Sequence, residues 1–542
     1  MLWREGMGKR PNIIFILTDD QGYGDLGCTG NPWVQTPNVD KLYQEGVWMT
    51  NYHVGPTCAP TRAGLMTGHF ANSTGVWHTI GGRSLLRQDE YTLPTALMEH
   101  GYATGIFGKW HLGDEYPYRP QDRGFQEVIV HGGGGISQTP DYWGNDYFDD
   151  FYCTNGEWKK FQGYCTDVFF REAGRFIDRH KDEPFFCYIA TNAPHVPYNV
   201  EDRYADLYRG KVEENRARFY GMITNIDENV GKLREHLKEI GLEENTIFIY
   251  MTDNGSSENC RYDAQGNLLE GYNAGLRGVK NSEYDGGHRT PFFMYYPAGG
   301  VVGGRDCNEL TANVDFMPTL LDFCGIKYEG KDFHGVSLRT LFEGSRKKLE
   351  ERYLVTDSQR LIWPVKWRKS AVMKGEWRLV NGKELYCLED DRLQFHDLAA
   401  KYPGKVADMR EAYEVWWKMV SVKYEEPIPL CLQEGAVLST HDWRGDENCA
   451  WNQGMIRQAL KATGHWEVYA PVAARYELNL YRWNPSCGYR LRAGIEGADR
   501  EFHRNLTPEE YWHWYENGEA LDIVSGQLYA DGGLTEEKTI GD

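Results

Sequence analysis

The chain has 542 residues, 41% of them hydrophobic and 25% charged, which suits a soluble globular protein and not a disordered one. A formal net charge of -20 leaves no cationic face for nucleic acid, although a few basic groups in one pocket can still hold a small anion. No apolar run approaches the roughly 18 residues needed to span a bilayer, which argues against a membrane segment.

Asn12 to Leu17 is the first predicted strand, and it runs straight into Thr18-Asp19-Asp20 with no small-residue cleavage site. As written, the sequence predicts a cytoplasmic protein, or a periplasmic or secreted one if a leader has been removed. The 12 cysteines lack paired spacing, so free thiols are predicted, with neither a zinc site nor a disulfide framework. Next comes Cys58-Ala59-Pro60-Thr61-Arg62, where Pro60 suits the first turn of a helix. Cys58 then lies at a helix N-terminus, where backbone N–H groups and the dipole favour an anion.

The predicted strand Tyr102 to Phe107 leads to Gly108-Lys109-Trp110-His111. Gly132 to Asp150 opens with four glycines and continues with aromatics and acids, predicting a long irregular excursion that is either a surface loop or a substrate-facing lid. Phe185 to Ala190 leads to Asn192-Ala193-Pro194-His195, and Thr246 to Met251 leads to Thr252-Asp253-Asn254-Gly255. Between these two strands, Phe219, Ile223, Ile226, Val230, Leu233 and Leu237 repeat at helical spacing, predicting a helix over Arg216 to Ile240 that stops at Gly241.

Short strands between Tyr353 and Leu388, then a helix to about Val422, predict a smaller antiparallel sheet with one helix. Pro427 and Pro429 mark a boundary. Beyond them His465 to Tyr469 and Arg475 to Trp483 alternate in strand fashion, predicting a β-rich extension. The fold class is α/β, with predicted boundaries at 8–345, 346–425 and 426–542.

In an open α/β sheet, ligands bind outside the carboxyl ends of the strands. Four strands here deliver acids, a lysine, histidines and an amide to that edge, which predicts one site. Each piece has an ordinary alternative: an Asp-Asp pair caps helices, Asp-Asn-Gly makes tight turns, and a lone cysteine is most often a buried structural thiol. Together, Asp19, Asp20, Asp253 and the carbonyl of Asn254 offer hard oxygen ligands to one cation. Calcium suits them best and magnesium is the alternative; the lack of histidine in the set argues against zinc.

Cys58 to Gly68 matches Cys-x-Pro-x-Arg with a downstream Thr-Gly, and so resembles the type I sulfatases of the alkaline-phosphatase superfamily. Further matches follow in order: Thr-Asp19-Asp20-Gln-Gly-Tyr-Gly, Gly-Lys109-Trp-His111-Leu-Gly, Ala-Pro-His195, Asp253-Asn254-Gly, and Lys280 ahead of Tyr284 to Pro291. Thr61 stands where many members have serine, and Asp285 where the family usually has glutamate. The matches run from about Asn12 to about Asp397 and cover the residues after Pro427 only loosely.

The resemblance implies a large, mostly parallel sheet sandwiched by helices. It also implies oxidation of Cys58 to formylglycine by a maturation enzyme, the aldehyde's hydrate being the nucleophile. The metal then sits on Asp19, Asp20, Asp253 and Asn254, while Arg62 and Lys109 steady the charge. His195 and Lys280 serve the leaving oxygen, and His111 removes the proton that restores the aldehyde. His288 and Arg289 are candidate substrate contacts beside Lys280, with His69, His78 and His131 as further pocket candidates. Trp143, among Tyr142, Tyr147 and Phe148, is a candidate platform for a sugar ring.

A sulfated carbohydrate is the expected substrate, with aryl sulfates as artificial ones. The competing readings are a phosphatase or phosphonate monoester hydrolase on the same scaffold, a non-catalytic glycan-binding relative, and a core that merely carries a functional tail. The pattern does not specify an oligomeric state.

Overall fold

The computed structural model describes residues 10–258, 260–263, 268–328, 332–445, 449–500 and 514–539. A ten-stranded sheet dominates. Across it run Arg305–Cys307, Val47–Met49, Phe292–Tyr295, Thr246–Thr252, Asn12–Thr18, Phe185–Ala190, Ala103–Gly108, Glu127–Val130, Phe151–Thr154 and Glu157–Lys160. The five from Thr246–Thr252 to Glu127–Val130 are mutually parallel, and the four predicted strands are among them. Antiparallel strands flank this block on both sides.

The central strand, Asn-Ile-Ile-Phe-Ile-Leu-Thr, is buried throughout, as an unbroken apolar run covered on both faces requires. Its side chains alternate between two cores. Ile14 and Ile16 pack with residues of the helices Cys165–His180 and Glu214–Glu239; Ile13, Phe15 and Leu17 pack with Ala59, Ala63, Leu65, Phe316 and Leu320. The long helix ends at Glu239, with Gly241 left-handed just beyond it, as the spacing predicted. Among the described residues, no helix is long and apolar enough to cross a membrane, and the 12 cysteines are free thiols.

Leu354–Asp357, Ser370–Lys374, Trp377–Val380 and Glu384–Cys387 form the smaller antiparallel sheet. The helix Pro403–Val420 covers it with Val406, Met409, Tyr413 and Trp416.

The extension pairs Leu430–Cys431 with Val468–Tyr469, Ile495–Ala498 with Glu516–Gly518, and Ser525–Ala530 with Gly533–Thr539. The expected strand Arg475 to Trp483 is not formed. Leu478, Leu480 and Tyr481 are all exposed, so the alternation has no core to face, and only Trp483 at its end is buried.

Gly132 to Asp150 is irregular, as expected, but it is not a free surface loop. Residues 132–138 are buried, and the Asp141 carboxylate ties the turn together by accepting from Gly132 N–H at 3.1 Å and Ser137 N–H at 3.0 Å.

Candidate active site

The parallel strands deliver their C-terminal residues to one buried polar cluster. Asp19, Asp20 and Asp253 each place a carboxylate oxygen within 4.8 Å of the others, all buried. Asp20 takes a left-handed backbone (φ 67°), as does His111 (φ 61°), conformations that ordinary residues hold only where the surroundings impose them.

Each acid has one cation. Lys109 Nζ lies 2.6 Å from Asp19 Oδ2, Lys280 Nζ 2.7 Å from Asp20 Oδ2, and Arg62 Nη2 2.9 Å from Asp253 Oδ2. Arg62 also donates to the Lys109 carbonyl at 3.0 Å, locking the Cys58 helix to the strand end that carries Lys109. Burial alone pushes the Asp20 carboxyl up, but Lys280 and the Asn254 amide outweigh it and hold Asp20 well below the usual carboxylate range. Burial and the neighbouring Asp19 push Asp253 up to about 7, against Arg62 and Lys109.

The set fits a hard cation. Asp19 Oδ1 and Asn254 Oδ1 are buried oxygens without a hydrogen-bond partner, an arrangement that costs about 1–3 kcal/mol per atom unless something binds there. Asn254 Nδ2 meanwhile donates to Asp20 Oδ1 at 2.9 Å, which leaves its carbonyl oxygen as the free ligand. Four oxygen donors without nitrogen or sulfur suit calcium or magnesium.

Cys58 opens the buried helix Cys58–Thr67. Burial pushes its thiol up despite Lys109 and Lys280, so it is no poised thiolate. His111 Nε2 lies 2.8 Å from the Thr79 carbonyl, so that nitrogen carries the proton and Nδ1, buried and unpartnered, keeps the lone pair. Gly134 packs flat on this ring: a Cβ there would stand 2.2 Å from His111 Cε1. His195 Nδ1 lies 2.7 Å from the Val196 carbonyl, which turns a bare Nε2 toward Asp20 Oδ2 at 3.8 Å. Burial holds the His195 ring down at about 3.

His131 borders the same cluster. Its Nδ1 meets the Gly132 carbonyl at 3.0 Å, its Nε2 is buried and unpartnered, and burial takes the ring down to about 3. His78 Nδ1 accepts from Thr79 N–H at 2.6 Å, within the field of His441.

Four candidates lie elsewhere. His288 and Arg289 belong to a buried network: His288 Nδ1 pairs with His53 Nδ1 at 2.9 Å, and Arg289 and Arg378 both reach Asp285, Arg378 at 3.0 Å. That network engages both His288 ring nitrogens and ties Arg289 to Asp285 and the Thr50 carbonyl, and its guanidinium groups disfavour a cation among His53, Asp285 and His288. His69 faces Glu90 at 2.7 Å and the Asp332 carbonyl. Trp143 is no sugar platform. It is buried against Trp483, donates to Asp499 Oδ2 at 2.8 Å and lies under Arg457, so it anchors the extension. Tyr147 is also buried, its hydroxyl donating to the His195 carbonyl at 3.0 Å.

The sequence reading missed His441, which the extension inserts beside His111; no motif spacing marks it, because the two meet only in the fold.

A family model described as sulfatase matches residues 11–326, and one described as N-sulphoglucosamine sulphohydrolase, C-terminal, matches residues 279–406. Arylsulfatase J of Mus musculus is 31% identical over 412 residues, 70% of this chain and 65% of that protein. N-acetylgalactosamine-6-sulfatase of Canis lupus familiaris is 30% identical over 349 residues, 59% of this chain and 63% of that protein. The chain thus spans just under two thirds of the length of both relatives. Among solved structures, Ps i-CgsB in complex with k-i-k-neocarrahexaose superposes with a TM-score of 0.66 at 27% identity, over 76% of this chain and 98% of that one. With more than half of its length matched by the family model, and the four strand ends meeting as described, this chain belongs to the sulfatase family.

Proposed function

We propose that this chain hydrolyses a sulfate ester carried on a carbohydrate, using a divalent cation, best calcium, and an oxidised Cys58. The observation that carries the reading is the charge inventory at the strand ends. Three buried carboxylates are matched one to one by Arg62, Lys109 and Lys280, and two oxygens are left without partners. A divalent ion raises that neutral cluster to a net charge of about +2, which complements a sulfate monoester and one ionised hydroxyl. One relative is named for a sulfated sugar, N-acetylgalactosamine 6-sulfate, and the solved neighbour is in complex with k-i-k-neocarrahexaose, which supports a carbohydrate substrate.

When present, the cation supplies Lewis acidity to the sulfuryl oxygens, and formylglycine supplies a hydrated aldehyde with two hydroxyls in place of one thiol. The chain's own residues do the rest. Arg62 and Lys109, fixed to each other and to the acids, hold the anionic head in line. Lys280 Nζ carries a proton to offer the leaving oxygen, whereas His195 in this tautomer presents only a lone pair at Nε2. His111 Nδ1, free and buried beside Lys109, can accept the proton of a second hydroxyl at position 58.

The test is sulfate release from a panel of sulfated sugars and one aryl sulfate, by protein co-expressed with a formylglycine-generating enzyme. We expect release by the matured protein and none by Cys58→Ala. If mass spectrometry shows the aldehyde at position 58 and no panel member releases sulfate, the reading is wrong and phosphonate esters become the class to assay.

A further inference from the structure

The extension brings the turn Thr440–Asp442 beside His111. The turn is held on several sides. Gly81 N–H donates to the His441 carbonyl at 2.7 Å, Trp466 Nε1 donates to the Ser439 carbonyl at 2.8 Å, and Trp443 stacks on Trp466 at 5.5 Å. Gly81 lies two residues from Thr79, whose carbonyl orients His111, so the turn and the catalytic ring share one support. His441 is thereby fixed with its ring centre 5.8 Å from that of His111, and only 1% of its side chain is exposed.

Neither ring nitrogen of His441 has a hydrogen-bond partner. The nearest acid, Asp442 Oδ1, is 3.6 Å from Nδ1, too far for a hydrogen bond. His111 Nδ1 is unpartnered as well, and no hydrogen bond joins the two rings. Leaving such groups buried and unmatched costs about 1–3 kcal/mol each, a cost that one hydroxyl hydrogen-bonded to both rings would remove.

The occupant is a neutral group. The cations that hold an anion, Arg62, Lys109 and Lys280, are all committed on the metal-ligand side, whereas Asp114 and Asp442 stand next to His441. Those acids repel a sulfate oxygen and tolerate a hydroxyl. We propose that His441 is a substrate-binding residue: with His111 it holds a hydroxyl of the sugar that carries the sulfate, so that the extension helps to choose the substrate. This assignment rests on the sulfate-ester reading above.

The test uses Cys58→Ala protein in calcium, which needs no maturation and does not turn over. Calorimetry gives the affinities for N-acetylgalactosamine 6-sulfate, glucosamine 6-sulfate and galactose 4-sulfate, and for 4-nitrophenyl sulfate, which has no sugar hydroxyl. Adding His441→Ala is expected to weaken the best sugar at least tenfold and to leave 4-nitrophenyl sulfate within twofold, with His441→Gln recovering part of the loss. Equal weakening of sugar and aryl sulfate overturns the assignment, because His441 then only shapes the site. No weakening of either also overturns it, because water then fills the gap. If His441→Ala does not fold, the same sugar-to-aryl ratio is read on His441→Gln and His441→Asn, and an unchanged ratio in both overturns the assignment. Failure of the Cys58→Ala parent to bind any of the four probes instead refutes the sulfate-ester reading, and the assignment falls with it.

Discussion

Lys109 and Asp19 form an ion pair 2.6 Å long with neither side chain exposed, so Lys109→Met keeps the stem and removes only the charge. Asp19 Oδ1 has no partner to begin with, and the substitution strips the cation from Oδ2 as well. Removing one member of a buried pair costs about 3–5 kcal/mol, against about 0–1 kcal/mol for an exposed one. The same change leaves three carboxylates facing two side-chain cations, which favours a bound metal ion.

Lys109→Met in a Cys58→Ala background should therefore melt several degrees lower in EDTA and recover part of the difference in calcium. By calorimetry its calcium affinity should rise at least tenfold, which is about 1.4 kcal/mol. Calcium at 100 times the variant's Kd stabilises it by about 2.7 kcal/mol and a parent with tenfold weaker binding by about 1.4 kcal/mol, so the gap closes by about 1.3 kcal/mol, large enough to see and smaller than the whole loss. The reasoning fails if the variant melts with its parent in EDTA, or if calcium raises both melts by the same amount.

The buried network around Asp285 has a predictable pH signature. Burial would raise this carboxyl, but Arg378 and its neighbours hold it far below its unfolded value of 3.8. A depressed carboxyl contributes stability above the unfolded value and loses it as pH falls through and below that value. Asp285→Asn should thus melt well below the parent at pH 7, and the gap should shrink between pH 5 and pH 3; a gap constant across that range refutes the argument. Trp143→Ala removes the tryptophan that packs on Trp483 and Arg457, a truncation worth about 3–5 kcal/mol in a core. Limited proteolysis should cut the extension faster, while the KM of matured enzyme for 4-nitrophenyl sulfate stays within twofold; unchanged proteolysis counts against the anchoring role.

What was legible in the sequence follows from how local each signal is. The strand Asn12–Thr18 is specified by its own apolar run, and Asp19 and Asp20 sit at its end whatever else the chain does. The same holds for Lys109, His195 and Asp253, each carried to the sheet edge by the strand before it, so a site could be read before any contact was known. The partner of each residue was not legible. Arg289 and Trp143 looked like ligand contacts because both types often are, yet Asp285, 4 residues away, takes the one and Trp483, 340 residues away, the other. The run Arg475 to Trp483 alternates as a strand should, but alternation makes a strand only where one face is covered, and here nothing covers it.

His441 shows the same limit from the other side. It lies in a segment without motif or periodicity, and its claim on function is that a buried imidazole beside His111 has no partner. That is a property of the space between two elements 330 residues apart, and it exists only once Gly81, Trp466 and the glycine turn at Gly134 have brought the extension and the sheet edge together. The proposed reaction chemistry of this chain therefore lies at the ends of its strands. Its choice of substrate is proposed to depend on how the last fifth of the chain packs over them.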